Sequence, residues 1–206
     1  MSALAGHRLV PLAAPATAAE SAALADGLVA GGIGIVEVAL RTEHAMEALR
    51  TIAARGDLVA GAGTVLDAEQ ARAAIDAGAR FLVSPGLSAD VVAVARDAGV
   101  DVLPGVMTAS EVMAARDLGL RALKLFPANV VGGLALLDAY ASVFPDVTFM
   151  PSGGVSEATL AEHLAHPAVA AVSGSWLAGG AAMREGADAI AAIAARAVAI
   201  ADEVPA

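Results

Sequence analysis

Cysteine is absent from the 206-residue chain. That excludes disulfide frameworks and thiolate nucleophiles, and it fits a reducing compartment such as the cytoplasm. Lysine is almost absent: Lys124 is the only one, and every other cation is arginine. Positive charge is scarce overall, with 12 Lys and Arg against 22 Asp and Glu and a net charge of −10. That argues against nucleic-acid binding, which needs a basic face. It does not forbid a small anionic ligand, because screening over about 8 Å lets local groups outweigh the total. Long apolar runs are missing as well. The longest stretch without Asp, Glu, Lys or Arg, residues 163–183, is broken by Pro167, Ser173, Gly174, Ser175 and a glycine pair. It lacks the Leu, Ile and Phe density of a membrane span. Residues 1–19 superficially resemble a secretory leader, but Pro11 and Pro15 interrupt the apolar part. They also contain the first strand of the repeat described below, so they are expected to belong to the mature fold.

What is present centres on Ala122-Leu123-Lys124-Leu125-Phe126-Pro127. A short apolar run with a proline stop reads as a buried strand. Lysine is among the residues least often buried without a partner. Taking an ammonium out of water disfavours its charged form, which makes a neutral, nucleophilic amine available to attack a ketone. The alternative is a lysine whose head snorkels to the surface from a strand end.

Apolar β-type runs alternate with alanine-rich helical runs at a spacing of roughly 20 residues. Strands are expected over 9–13, 33–40, 58–60, 81–84, 102–104, around Lys124, and over 147–150 and 168–172. Helices are expected over 17–30, 43–54, 67–77, 89–98, from Thr108 or Ser110 to 118, and over 134–143, 156–165 and 186–202. Thr17 followed by Glu20 is a capping-box signature. This many βαβ units means a parallel sheet, and about eight of them in this length predicts a single (β/α)8 TIM barrel over residues 1–206. The competing fold is an open doubly wound sheet, but no Gly-x-Gly-x-x-Gly element follows the first strand.

Sites in such barrels lie at the carboxyl ends of the strands. The second strand ends Glu37-Val38-Ala39-Leu40-Arg41-Thr42, and alternation puts Glu37, Ala39 and Arg41 on one face. A carboxylate and a guanidinium facing a barrel mouth are costly unless paired or used. They form either a structural pair, Glu37–Arg41 or Glu37–Lys124, or a proton shuttle and a carboxylate clamp. The third strand runs into Gly61-Ala62-Gly63-Thr64, where glycines allow close backbone approach and a hydroxyl can donate. The loops after the last two strands contain Ser152-Gly153-Gly154 and Ser173-Gly174-Ser175-Trp176. Barrel phosphate sites are frequently built from those two loops. His163 and His166 are expected on the outer face of the seventh helix, toward solvent. No pattern suits zinc or magnesium, so no metal or cofactor is expected, and no Gly-x-Ser-x-Gly elbow is present.

These residues, together with Val83-Ser84-Pro85-Gly86, Pro104-Gly105-Val106-Met107-Thr108, Leu123-Lys124-Leu125-Phe126-Pro127-Ala128 and Gly174-Ser175-Trp176, resemble the class I (Schiff-base) aldolases of 2-keto-3-deoxy-6-phosphogluconate and 4-hydroxy-2-oxoglutarate. The resemblance runs in order over nearly the whole chain. It implies that Lys124 forms the Schiff base with pyruvate and that Glu37 is the acid/base. It further implies that Arg41 and Thr64 hold the substrate carboxylate and that Gly153, Gly154 and Ser175 line a phosphate site. It implies a 2-keto acid substrate, no membrane or nucleic-acid partner, and a homotrimer. Three positions depart from the family pattern. Ala13-Ala14-Pro15 stands where some relatives carry an arginine, Ser152 replaces the usual threonine, and Asn129 replaces a common glutamate. Other readings left open are another 2-keto-3-deoxy-acid aldolase, a phosphosugar isomerase or decarboxylase on the same barrel, and an inactive barrel serving as an oligomeric scaffold.

Overall fold

Strands and helices follow the predicted alternation closely. The structure, a computed structural model, describes residues 3–205; Met1, Ser2 and Ala206, part of the expected 1–206 domain, lie outside the described residues. The order begins β1 (Leu9–Ala13), α1 (Ala18–Ala30), β2 (Ile35–Ala39), α2 (Ala45–Arg55), β3 (Val59–Gly63), α3 (Ala68–Asp76), β4 (Phe81–Val83) and α4 (Ala89–Asp97). It continues with β5 (Asp101–Leu103), β6 (Gly105–Val106), α5 (Ala109–Asp117), β7 (Ala122–Leu125), α6 (Gly133–Val143) and β8 (Thr148–Pro151). After a 3₁₀ turn at Glu157–Thr159 come α7 (Leu160–Leu164), β9 (Val172–Gly174), α8 (Gly180–Glu185) and α9 (Ala187–Glu203).

Local chemistry sets the helix starts. The Thr17 hydroxyl accepts from the Glu20 N–H at 3.1 Å and Asp67 accepts from the Gln70 N–H at 2.8 Å. Such N-caps contribute about 1 kcal/mol each. Glu20 returns its carboxylate to the Ala16 N–H rather than to Thr17, so the reciprocal box expected there is displaced by one residue. Thr108, not Ser110, caps α5, in a full box with Glu111. The close pairing of α1 with α9 depends on glycine: a methyl at Gly27 would lie 2.6 Å from the Ile190 Cβ, closer than packed carbons approach.

All strand pairs are parallel. Their hydrogen-bonded ladders form a six-stranded sheet, β5-β4-β3-β2-β1-β9, and a three-stranded sheet, β6-β7-β8. This differs from the expected single eight-stranded ladder. Pro104 separates β5 from β6, because proline has no N–H to give. Between β8 and β9 there are only the isolated bridges Phe149↔Val169 and Ser152↔Ser173. The core divides in the same way: a large cluster beneath the first sheet, and a smaller one with Leu123, Leu125, Tyr140, Phe144 and Phe149 beneath the second. The last strand lies later than the predicted 168–172. Its pairing with β1 begins at Leu9↔Val172, and β9 reaches Gly174. The short α8, which starts at Gly180, was not among the expected helices.

Candidate active site

The site begins with β7. Leu123 and Leu125 are fully buried in the smaller core, and alternation turns Lys124 the other way. Lys124 is only 2% exposed. Its Nζ lies 3.5 Å from Glu37 Oε1 and 5.1 Å from the centroid of the Phe126 ring. Of the two ion pairs weighed from the sequence, Glu37–Lys124 forms. A snorkelling lysine is excluded by this burial.

Glu37 sits in the middle of β2 and is wholly buried. Its neighbours Val36 and Val38 face the large core. Across the ladder it pairs with Leu12 of β1 and Gly61 of β3. Room for the carboxylate comes from Gly63, where a methyl would stand 2.6 Å from Glu37 Cγ. The second carboxylate oxygen, Oε2, accepts from Ser173 Oγ at 3.2 Å. Each oxygen of one buried carboxylate thus has its own partner, one an amine and one a hydroxyl. Sequence reasoning named Ser173 only as part of a turn. A serine between apolar neighbours in a buried strand was the available signal, since a buried hydroxyl requires a partner.

Arg41 and Thr64, which the resemblance assigns to one carboxylate, meet each other, with Arg41 Nε donating to Thr64 Oγ1 at 2.9 Å. The strand alternation that put Arg41 on the face of Glu37 does not reach it. β2 ends at Ala39, and the Arg41 N–H turns back to the Ala39 carbonyl. Thr64 has φ +61° and is the one non-glycine with positive φ among the described residues. Such backbone is uncommon outside glycine and clusters at functional sites.

The two glycine- and serine-bearing loops also meet. The Ser152↔Ser173 bridge sets the loop after β8 beside the end of β9. Gly153 and Gly154 both have positive φ, +88° and +93°. The Asn129 and Ala128 N–H groups donate to the Gly153 and Ser152 carbonyls at 3.0 and 2.8 Å. Asn129 itself packs over Gly154, where a Cβ would collide with it. Glycine at position 154 is what leaves room for Asn129. Ser175 is exposed. Ser152 Oγ and Trp176 Nε1, flanking these loops, are buried without a hydrogen-bond partner among the described residues, a feature that costs free energy and calls for a functional explanation.

The two histidines are corrected. His163 is buried, 9% exposed, with Nδ1 at 2.8 Å from the Thr159 carbonyl. His166 places Nε2 3.2 Å from Asp138 and accepts the Ala168 N–H on Nδ1. Both were expected to face solvent. Instead His163 turns back onto the carbonyl that precedes α7, and His166 joins the turn after α7 to Asp138 of α6. No group of three or more His, Asp or Glu side chains placed to hold a metal occurs among the described residues.

Known proteins share this arrangement of chain. Residues 1–193 match the family model "KDPG and KHG aldolase". A 2-dehydro-3-deoxy-phosphogluconate aldolase of Pseudomonas aeruginosa is 45% identical over 171 residues, 82% of this chain and 78% of that one. The crystal structure of the 2-keto-3-deoxy-6-phosphogluconate aldolase of Zymomonas mobilis superimposes with a TM-score of 0.91 at 39% identity, covering 96% of this chain and 95% of that one. A KDPG aldolase of Legionella pneumophila, solved with pyruvate as a covalent carbinolamine, gives a TM-score of 0.90 at 34% identity over 94% and 95% of the two chains. The chain belongs to the KDPG/KHG aldolase family.

Proposed function

We propose that Lys124 is the Schiff-base lysine of a class I aldolase that cleaves 2-keto-3-deoxy-6-phosphogluconate, 4-hydroxy-2-oxoglutarate or both. The observation that carries the reading is the buried Lys124–Glu37 pair, 3.5 Å apart, beside the Arg41–Thr64 contact. Burying a charge pair is expensive, and an aldolase uses both members.

The chemistry follows from the groups present. Neutral Lys124 attacks the C2 ketone and gives a carbinolamine, the species captured with pyruvate in the Legionella enzyme. Glu37 supplies the proton on which water leaves, and an iminium forms. The iminium draws electrons from the C3–C4 bond as the C4 hydroxyl surrenders its proton to Glu37, directly or through a water. The aldehyde departs and an enamine remains. Protonation at C3 and hydrolysis release pyruvate and free the amine. Arg41 and Thr64 grip the substrate carboxylate through charge-assisted hydrogen bonds. Gly153, Gly154 and Ser175 receive the phosphate, whose approach the positive-φ glycines permit.

The two sheets act in this reading as one eight-stranded barrel, with β5 and β6 counted as a single strand through Pro104. Support comes from the Lys124–Glu37 contact, which runs from β7 in the smaller sheet to β2 in the larger. A homotrimer and a cytoplasmic location belong to the same proposal. Exposed Leu66, Met107 and Val130 are apolar surface that assembly would cover.

A second substrate preference has its own support. The carboxyl end of β1 is Ala13-Ala14-Pro15, with no cation to meet a phosphate. Comparing kcat/KM for pyruvate release from the two substrates tests both. Turnover of either one upholds the aldolase reading, and turnover of neither overturns it. Higher kcat/KM on 4-hydroxy-2-oxoglutarate would identify the unphosphorylated acid as the better substrate.

A further inference from the structure

We propose that Ser173 is a positioning residue for Glu37, fixing which carboxylate oxygen exchanges protons with the Schiff-base centre. The inference rests on the Lys124 and Glu37 roles proposed above. Ser173 and Glu37 are both fully buried, and the Ser173 hydroxyl donates to Oε2 at 3.2 Å. Oε1 is left facing Lys124 Nζ. The carboxylate is enclosed by Gly63 from β3, Ser173 from β9 and Lys124 from β7. Lys124 is the charged side chain that meets it. Arg41, further along the same strand, is engaged with Thr64 instead.

A glutamate carboxylate rotates through a broad, roughly two-fold well about its last torsion. Gly63 makes space for the group but offers no hydrogen bond to hold it. Ser173 supplies that hold, and it is itself braced by β1, where it pairs with Val10, and by the bridge to Ser152. Removing that hydrogen bond frees the rotation, so that Oε1 no longer faces the reacting centre consistently.

The experiment compares Ser173→Ala and Ser173→Thr with the unsubstituted chain. Three quantities are read: kcat, exchange of pyruvate methyl protons with deuterated water, and the mass of the borohydride-trapped pyruvate adduct. Ser173→Ala is expected to lower kcat and methyl exchange about tenfold with little change in KM. Trapping at Lys124 should persist. Ser173→Thr, which keeps the hydroxyl, should retain more of both rates than Ser173→Ala. A Ser173→Ala variant with unchanged kcat and methyl exchange overturns the proposal, and so does one in which trapping at Lys124 is lost in the same proportion, the mark of general packing damage. An unsubstituted chain that yields no Lys124 adduct overturns the aldolase reading itself, a failure distinct from this one.

Discussion

The two ends of the parallel strands treat charge in opposite ways. At the amino ends a cavity of about 490 Å³ opens between Arg8, Asp101, Arg121 and Phe149. Its charged groups finish on structural partners. Arg8 donates to the Ala201 and Val204 carbonyls at 2.8 and 2.6 Å. Arg121 pairs with Asp146 at 2.7 Å and donates to the Leu120 carbonyl. The Ala3 N–H donates to Asp101 at 2.6 Å. Toward the carboxyl ends Lys124 and Glu37 instead meet each other in the interior, and Ser152 Oγ and Trp176 Nε1 have no hydrogen-bond partner among the described residues. That cavity lies at the structural end. Chemistry is marked by buried polar groups whose partners are reactive or missing.

Substitutions should separate the ends sharply. The largest effect is expected for Lys124→Arg, which keeps the charge but cannot form an imine at working pH. Turnover should fall by at least about 10³-fold. Substantial residual cleavage of a 2-keto-3-deoxy acid would point to an electrostatic role and a different enzyme class. Gly63→Ala comes next. Its methyl would press on Glu37 Cγ, and a displacement of about 1 Å at a reacting group costs roughly 10²-fold in kcat. A folded Gly63→Ala variant with full activity would show that Glu37 needs no such room.

At the other end, Arg8→Ala should leave kcat unchanged and destabilise the fold by about 2 kcal/mol, because it strips charged donors from the carbonyls that end α9. Chemical denaturation checks this. A drop in kcat at full stability would erase the contrast between the two ends.

The smallest effect concerns Glu111. Burial pushes its carboxyl up, but hydrogen bonds from the Met107 N–H and from the Thr108 hydroxyl and N–H outweigh that and hold it below the ordinary glutamate range. A lowered carboxyl contributes stability above the ordinary value and loses it as pH falls through the lowered one. Unfolding free energies of Glu111→Gln and the unsubstituted chain should therefore differ by about 1 kcal/mol or less at pH 7 and converge below about pH 4.

Much of this was legible beforehand. The period of strands and helices gave the parallel α/β fold. The solitary lysine, the Glu37-to-Thr42 segment and the paired Gly/Ser loops marked the elements that converge on one end of the sheets. What escaped the sequence is what depends on non-local neighbours. Ser173 stands 136 positions from Glu37 along the chain, so no window reading links them. The break at Pro104 between two ladders depends on which strand lies alongside. His163 is buried by what α7 packs against, which a helical period alone does not reveal. Arg41 reached Thr64 through a turn rather than through the strand alternation that had suggested its direction.

Trapping tests the Lys124 assignment most directly. The chain is incubated with pyruvate, reduced with borohydride, digested and mapped by mass. The expected result is one pyruvate-derived adduct on the peptide carrying Lys124, absent without borohydride and absent in Lys124→Arg. Recovery of that peptide unmodified, from a chain that cleaves its 2-keto acid substrate, would contradict the account.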